Sequence, residues 1–336
     1  MTATLVPWLK FAVCAALIGM AGPVLTHYSD VIARLTGLSR TWIGLALLAT
    51  ATSLPELFTG ISAVTVAAAP NIAVGDALGS CIFNLMMLVV LDAMSRDEPI
   101  YRRIEQGHIL TAGFGVILIG SAGALLLISG SGFHLQVFHI SAYTPFIIVL
   151  YLLAMRAAFV YERRTKPVPQ IIKSDPNMTL RMAILRYLAA ATIVAAAGTW
   201  LPFVGSEIAE VMGWRTTFVG TLLIAAATSL PELVVTISAL RLGAVDMAIA
   251  GLLGSNLFDI LILAIDDLAY TDGPLLSAVS PAHAVSAFAA VIMSGIFIVA
   301  LLYRPESRIR GTIGWVSLSL LVVYLFSSYA IYLHGN

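Results

Sequence analysis

The sequence predicts an all-α polytopic membrane protein with ten transmembrane helices, arranged as two inverted five-helix repeats in which helices 2 and 7 are broken. Three observations predict this fold: the apolar composition, the apolar runs with their flanking charges, and a seven-residue motif that occurs twice. Of the 336 residues, 60% are hydrophobic and only 11% are charged, whereas soluble domains carry roughly 25% charged residues. A water-soluble fold could not bury so much apolar surface.

Ten apolar runs are long enough to cross a bilayer, which takes about 20 residues of helix. The first run continues to Thr26, which favours a spanning helix over a cleaved signal peptide. A polar linker, residues 162–181, separates a first repeat, residues 1–161, from a second repeat, residues 182–336. The predicted helices occupy residues 7–27, 41–66, 71–94, 107–129, 138–160, 182–204, 215–240, 245–268, 280–302 and 311–333.

The distribution of basic residues favours this count of helices. With ten helices, the membrane side that holds both termini carries only Lys10 and Arg215. Basic residues concentrate in cytoplasmic loops, so both termini are expected outside the cytoplasm of a bacterial or archaeal plasma membrane. The other side carries the remaining basic residues: Arg34, Arg40, Arg96, Arg102, Arg103, Arg156, Arg163, Arg164, Lys166, Lys173, Arg181, Arg186, Arg241, Arg304, Arg308 and Arg310.

The motif ATSLPEL occurs at residues 51–57 and again at residues 227–233. The similarity continues into the following helix, where residues 78–80 and residues 253–255 both read LGS. The first copy falls on predicted helices 2 and 3 and the second on helices 7 and 8. Because the second copy lies five helices further along the chain, an odd number, it crosses the membrane upside down. Inverted repeats with interrupted helices are typical of alternating-access transporters.

Each copy places a proline and several polar side chains inside an apolar helix. Pro55 and Pro231 have no N–H group, so each helix is expected to kink or unwind just before the proline. Carbonyl groups freed there must be enclosed by protein or line a wet cavity. Residues four apart share a helix face, which groups the nearby candidate ligands as Thr52 with Glu56, Thr228 with Glu232, Ser80 with Asn84, and Ser255 with Asp259, beside Ser53 and Ser229.

Three of these side chains, Glu56, Glu232 and Asp259, are carboxylates with no Lys or Arg in the same helix cores. A charge near the bilayer centre costs a few kcal/mol or more, so bound cations are expected to neutralise them. Oxygen ligands suit Ca²⁺ or Na⁺ better than zinc or copper, and the six histidines are predicted at helix ends or in loops. The remaining acids near the outer surface are expected to be solvated: Asp266, Asp267, Glu207 and Glu210.

The two motif regions resemble the paired repeats of the sodium/calcium exchanger superfamily of cation antiporters. The first region, residues 51–84, reads ATSLPEL and then GSCIFN, and the second, residues 227–259, reads ATSLPEL and then GSNLFD. The ten-helix layout and the short middle linker are similar to those of the compact prokaryotic members.

The resemblance implies a diamond of cation sites between the repeats. Glu56 and Glu232 would bridge the central cations, and Asn84 and Asp259 would complete the sites. It also implies that helices 1 and 6 slide across the core to switch access, and their many small residues permit close packing. Hydroxyl or carbonyl oxygens would come from Thr52, Ser53, Ser80, Thr228, Ser229 and Ser255.

Two features depart from the family pattern. Asp76 and Gly251 occupy the position, four residues before the serine, where the family frequently has Asn. Cys81 replaces the Asn that the second copy keeps as Asn256. Asp76 adds an acid one helical turn from Ser80, nearer the outer face, and is a further candidate ligand. These changes leave ion stoichiometry and selectivity open.

The predicted function is exchange of Na⁺ for Ca²⁺ by alternating access, because both ions draw on the same negative charge. Two alternatives remain open: H⁺ could replace Na⁺, since burial favours the protonated form of a carboxyl group, and the divalent ion could differ from Ca²⁺. A cation channel would more naturally repeat its acids around an oligomeric axis, and an enzyme would need a nucleophile or a catalytic dyad.

The expected partners are therefore Ca²⁺, Na⁺ or H⁺, and the lipid bilayer. The protein is not expected to be an enzyme, to hold a resident cofactor or to bind nucleic acid. A single chain is expected to be the functional unit.

Overall fold

The protein is described by a computed structural model that covers residues 2–36, 49–95, 98–130, 136–165, 178–241, 243–306, 308–309 and 313–335. The first half contains α1 (Thr2–Thr36), α2 (Ala49–Thr52), α3 (Leu54–Thr65), α4 (Pro70–Met94), α5 (Ile100–Arg103), α6 (His108–Gly130), β1 (Gln136–Val137), β2 (Ile140–Ser141) and α7 (Tyr143–Thr165). The second half contains α8 (Leu180–Met212), α9 (Thr216–Phe218), a π-helix (Val219–Ile224), α10 (Ala225–Thr228), α11 (Leu230–Arg241), α12 (Val245–Ala269), a 3₁₀ turn (Leu275–Ser277), α13 (His283–Tyr303), β3 (Arg308–Ile309), β4 (Ile313–Gly314) and α14 (Trp315–His334).

The helices confirm a polytopic α-helical membrane protein. Within the described ranges, eight helices are long and apolar enough to cross a membrane, and residues 216–241, bent by 44°, make a ninth. The start of predicted helix 2 and most of the linker at residues 162–181 lie outside the described residues, so the count of ten stays a prediction. α1 continues past residue 27 to Thr36, which places His27 inside a helix, because a hydrogen-bonded helix need not end where its apolar run ends.

Both motif helices are interrupted one residue before the Leu-Pro pair. α2 ends at Thr52 and α3 begins at Leu54, and α10 ends at Thr228 where α11 begins at Leu230. The interruption follows from the prolines, which cannot donate to the carbonyl four residues earlier. In the second half the preceding turn is also widened into a π-helix, a feature that occurs frequently at functional sites.

α4 and α12, which follow the broken helices, are the most enclosed spans and form the centre of the core. α1 and α8 pack against each other along much of their lengths and lie over the broken helices. α8 begins with the Thr179 hydroxyl accepting from the Met182 N–H at 3.3 Å. It ends at Met212, and the next residue, Gly213, has a φ of 66°, the left-handed conformation that glycine adopts without strain.

Two equivalent aspartates tie the ends of α4 and α12 to their surroundings. Asp92 accepts from the N–H of Ile100 at 3.1 Å, and from the N–H of Gly314 at 2.9 Å and the hydroxyl of Ser317 at 2.6 Å, at the start of α14. Asp92 is therefore a buried structural anchor between α4, the following loop and α14.

Asp267 makes the corresponding contacts in the other half. It accepts from the N–H of Leu275 at 2.8 Å, from the N–H and hydroxyl of Ser141 at 2.9 Å each, and from the Thr144 hydroxyl. The expectation that Asp267 is solvated is wrong, because its side chain is fully buried by the loop after α12 and the start of α7. Composition alone could not reveal most of these donors, since Ser141 and Thr144 come from a segment more than a hundred residues away.

We expect Asp92→Asn and Asp267→Asn each to lower the free energy of unfolding by about 2–3 kcal/mol, the scale of a charge-assisted hydrogen-bond set. The amide keeps the shape but places an NH₂ group toward donors. Thermal unfolding of the purified protein in detergent measures the change, with the exposed Asp272→Asn as the control. Equal midpoints for all three variants would contradict the anchor role.

Candidate cation site

The two glutamates of the repeated motif lie between the halves, and each accepts a hydrogen bond from a serine of the other half. Ser229 Oγ lies 3.2 Å from Glu56 Oε1, and Ser53 Oγ lies 3.4 Å from Glu232 Oε1. Each serine is the residue at which its helix is interrupted: Ser53 lies between α2 and α3, and Ser229 lies between α10 and α11. The interruptions therefore face each other across the core, and each brings a hydroxyl to the opposite carboxylate.

The serines of the following helices complete the same pattern. Ser80 Oγ lies 3.5 Å from Glu56 Oε1, and Ser255 Oγ lies 3.3 Å from Glu232 Oε1. The Ser229 and Ser80 hydroxyls are themselves 3.1 Å apart. Each glutamate thus meets one serine from its own half and one from the other half.

The two threonines of the motif differ in their partners. The Thr228 hydroxyl donates to Asp76 Oδ1 at 2.9 Å. Thr52 instead lies 3.3 Å from the hydroxyl of Ser255, because Gly251 occupies the position equivalent to Asp76 and has no side chain. The acid at residue 76 is therefore integrated into the site rather than exposed at a helix end.

Asn84, Cys81, Asn256 and Asp259 form the other edge of the site, where α4 meets α12. The Asn84 amide donates to Asn256 Oδ1 at 3.0 Å, and the Asn256 amide donates to the Cys81 carbonyl at 3.4 Å. The Cys81 thiol lies 3.8 Å from Asp259 Oδ2. Asn256 was not named as a candidate ligand from the sequence. It could have been found because Asn256 keeps the Asn that Cys81 replaces at the equivalent position.

Several oxygens of these side chains are buried and have no hydrogen-bond partner among the residues described. Such an arrangement is costly for a charged group in a low-dielectric interior, by several kcal/mol per ion. The ion pairs of Lys10 with Glu207, Arg102 with Glu306 and His108 with Asp246 do not involve the site. The unpartnered oxygens are Glu56 Oε2, Glu232 Oε2, Asp76 Oδ2, Asp259 Oδ1 and Asn84 Oδ1.

The carboxyl group of Glu56 lies close enough to those of Glu232, Asp76 and Asp259 for their charges to interact. Across the described segments, no three His, Cys, Asp or Glu side chains converge tightly enough to hold a metal ion by themselves. A cation bound here would therefore take most of its ligands from hydroxyl, amide and carbonyl oxygens. That donor set suits hard cations such as Na⁺ and Ca²⁺.

Asp266 does not lie in solvent, contrary to the expectation from the sequence. It is fully buried on α12, seven residues after Asp259, and neither carboxylate oxygen has a hydrogen-bond partner in the described part of the chain. Its position near the end of an apolar run suggested exposure, but α3 packs against its carboxylate at Gly60. The expectation for Glu210 agrees with the structure, and Glu207 pairs with Lys10 at 2.7 Å.

Glycines bring α1 and α8 onto the two interruptions at equivalent positions. A methyl group at Gly198 of α8 would lie 2.9 Å from the Pro55 carbonyl oxygen, and one at Gly22 of α1 would lie 3.2 Å from Pro231 Cα. The Thr59 hydroxyl also donates to the Gly198 carbonyl at 3.2 Å. The small residues of these two helices therefore serve close contact with the interruptions.

The family profile described as sodium/calcium exchanger protein matches residues 6–161 and 182–331. The chain belongs to this family. The resemblance of the two motif regions is thereby confirmed, and with it a multi-pass membrane transporter family rather than an enzyme family. The matched residues include every candidate ligand described above.

Relatives of this exchanger family support the assignment. The chain is 27% identical over 261 residues to the inner membrane protein YrbG of Escherichia coli, covering 74% of this chain and 78% of that protein. A shorter match, 49% identical over 63 residues, covers 18% of this chain and 18% of the sodium/calcium exchanger MaX1 of Methanosarcina acetivorans.

A solved structure of the sodium-calcium exchanger NCX_Mj, soaked with Na⁺ and Sr²⁺, has the same fold. The two chains superpose with a TM-score of 0.63 at 21% identity, over 96% of this chain and 98% of that one. The likeness over almost the whole length shows that the two chains share one overall fold.

Proposed function

We propose that the protein exchanges Na⁺ for Ca²⁺ by alternating access, with the ions bound between Glu56 and Glu232. The reciprocal contacts carry this proposal: each glutamate is met by a serine from the opposite half, and its second oxygen is left without a partner. An ion that bridges the carboxylates would neutralise them and link the two halves.

Exchange follows from competition for the same oxygens. One Ca²⁺ between the glutamates satisfies the charge that several Na⁺ ions would otherwise satisfy, so occupancy by one kind of ion disfavours the other. The flanking ligands in this proposal are the hydroxyls of Thr52, Ser53, Ser80, Thr228, Ser229 and Ser255, with Asn84, Asp259 and Asp76 at the edges. Two observations support Na⁺ and Ca²⁺ as the exchanged ions: the chain belongs to the sodium/calcium exchanger family, and NCX_Mj, which has the same fold, is a sodium-calcium exchanger.

The switch in access is proposed to come from α1 and α8 moving together. Lys10 of α1 pairs with Glu207 of α8 at 2.7 Å, and the Arg186 guanidinium of α8 donates to the Tyr28 hydroxyl of α1 at 2.7 Å. The two contacts join α1 to α8 at two places, one near each end of the region where the helices pack together. Both helices touch the interrupted segments through Gly22 and Gly198, so their movement would expose the site to one face and then to the other.

The test compares two driving forces in proteoliposomes. With Na⁺ inside and a Na⁺-free outer buffer, we expect rapid uptake of radioactive Ca²⁺, and little uptake when a pH gradient alone is imposed. Collapse of the Na⁺ gradient with an ionophore should stop the uptake. Equal uptake driven by protons would replace Na⁺ with H⁺ as the counter-ion, and no coupled uptake with either gradient would reject antiport.

A further inference from the structure

The acid Asp266 on α12 is buried without a partner and belongs to none of the contacts described for the central site. Its side chain has no solvent-exposed surface, and both carboxylate oxygens lack a hydrogen-bond partner among the residues the structure covers. The neighbouring Asp267 accepts four hydrogen bonds. The two adjacent aspartates therefore differ in their contacts, and only Asp267 is held by hydrogen-bond donors among the described residues.

Gly60 on α3 provides the space for this carboxylate. A methyl group at Gly60 would lie 2.6 Å from Asp266 Oδ1 and 2.8 Å from its Cγ. In the other half, the positions equivalent to Gly60 and Asp266 are Thr236 and Leu91. The acid and the glycine that accommodates it come from different halves, and at the equivalent positions both are replaced by other residues.

Asp76 is a second acid that is present in one half and absent from the equivalent position in the other, and it lies toward the same membrane face as Asp266. Its equivalent is Gly251, and it interacts electrostatically with Asp266. Asp266 lies two turns beyond Asp259 toward the end of α12, and Asp76 lies one turn before Ser80 toward the start of α4. Because α4 and α12 are predicted to run in opposite directions, both displacements point to the face that the basic residues assign to the exterior.

We propose that Asp266, together with Asp76, binds the transported cation on the exterior access route, before the cation reaches Glu56 and Glu232. An unpartnered carboxylate in a low-dielectric interior attracts a cation strongly. The equivalent positions on the cytoplasmic side hold Leu91 and Gly251, so neither of these positions offers a carboxylate to a cation on the cytoplasmic route. Because Asp266 is enclosed in this structure, a cation reaches it when the exterior route is open.

This inference rests on the proposed exchange and makes the two routes unequal. The exterior route would capture cations at lower concentration than an uncharged route of the same shape. Ca²⁺ and Na⁺ are both hard cations that carboxylate oxygens bind, and separate titrations of the two ions show which of them Asp266 serves.

The experiment measures exchange by Asp266→Asn in right-side-out and in inverted membrane vesicles, with Ca²⁺ and Na⁺ titrated separately at the accessible face. We expect the half-saturating concentration of at least one ion at the exterior face to rise about tenfold, the equivalent of about 1.4 kcal/mol. At the cytoplasmic face it should stay within about twofold. Asp272→Asn, an exposed acid just beyond α12, is the matched control.

A second variant guards against a folding defect in the first. The double substitution Gly60→Thr with Asp266→Leu introduces the residues found at the two equivalent positions, Thr236 and Leu91, and should raise the exterior half-saturating concentration as Asp266→Asn does. An unchanged exterior value, an equal change at both faces, or a change at the cytoplasmic face alone would overturn the proposal.

If Asp266 binds a proton instead of a metal cation, the same experiment gives a different result. If Asp266→Asn removes the pH dependence of exchange and leaves both half-saturating concentrations unchanged, Asp266 carries a proton and the cation proposal is wrong. Failure of the underlying exchange is recognised separately, because vesicles with the unmodified protein would then show no coupled movement of Na⁺ and Ca²⁺.

Discussion

Glu56→Gln and Glu232→Gln are each expected to lower Na⁺-dependent Ca²⁺ uptake by at least about 100-fold, equivalent to about 2.7 kcal/mol. The amide has the size of the carboxylate but no charge, and it turns one of the two acceptor oxygens into a donor. Because Ser53 and Ser229 already donate to these carboxylates, the remaining oxygen is the one that a cation needs. Initial uptake rates in proteoliposomes measure the loss.

Glu210→Gln is the matched control for these variants, since Glu210 is an exposed acid on α8 outside the site. It should transport Ca²⁺ at the rate of the unmodified protein. Thermal unfolding of each variant separates loss of binding from loss of structure. Full transport by either site variant would remove the central ion site from the mechanism.

Gly22→Ala and Gly198→Ala are expected to have the second largest effect, with transport reduced about tenfold or more and a lower unfolding temperature. The added methyl group at Gly198 would lie 2.9 Å from the Pro55 carbonyl oxygen, and the one at Gly22 would overlap the Pro231 ring. A backbone carbonyl and a proline ring cannot rotate away, and overpacking of this kind typically costs about 1–3 kcal/mol. Initial rates and unfolding midpoints are measured together.

Gly113→Ala on α6 is the control for the glycine variants. An added methyl group there has no atom within 4 Å, and alanine is intrinsically more favourable than glycine in a helix. Transport and stability should therefore equal or exceed those of the unmodified protein. If Gly22→Ala and Gly198→Ala behave like Gly113→Ala, the close contact of α1 and α8 with the interruptions does not control access.

The correspondence between positions in the two halves extends beyond the repeated motif. Asp92 and Asp267 each accept from the backbone eight residues later and from the start of a distant helix. Gly22 and Gly198 approach the two prolines in the same way. Asp76, Asp266 and Gly60 differ from this pattern, because the equivalent positions hold other residue types. We therefore connect these three residues with a difference between the two access routes.

The sequence by itself determined the class of protein, the location of the interruptions and the family. These follow from local chemistry: the lengths of apolar runs, the missing N–H of Pro55 and Pro231, and a motif whose two copies have identical residues. The same local information also singled out Glu56, Glu232 and their flanking hydroxyls as the candidate ligands, which remain a proposal.

Only the tertiary structure decided which partners each polar side chain meets. It separated Asp267, held by four donors, from Asp266, which has none in the described segments, although the two are adjacent and both were expected in solvent. It also showed that each serine at an interruption reaches the glutamate of the other half. The physical reason is that many of these hydrogen bonds come from segments more than a hundred residues away in the sequence, and no local pattern records which distant segment folds over a given carboxylate.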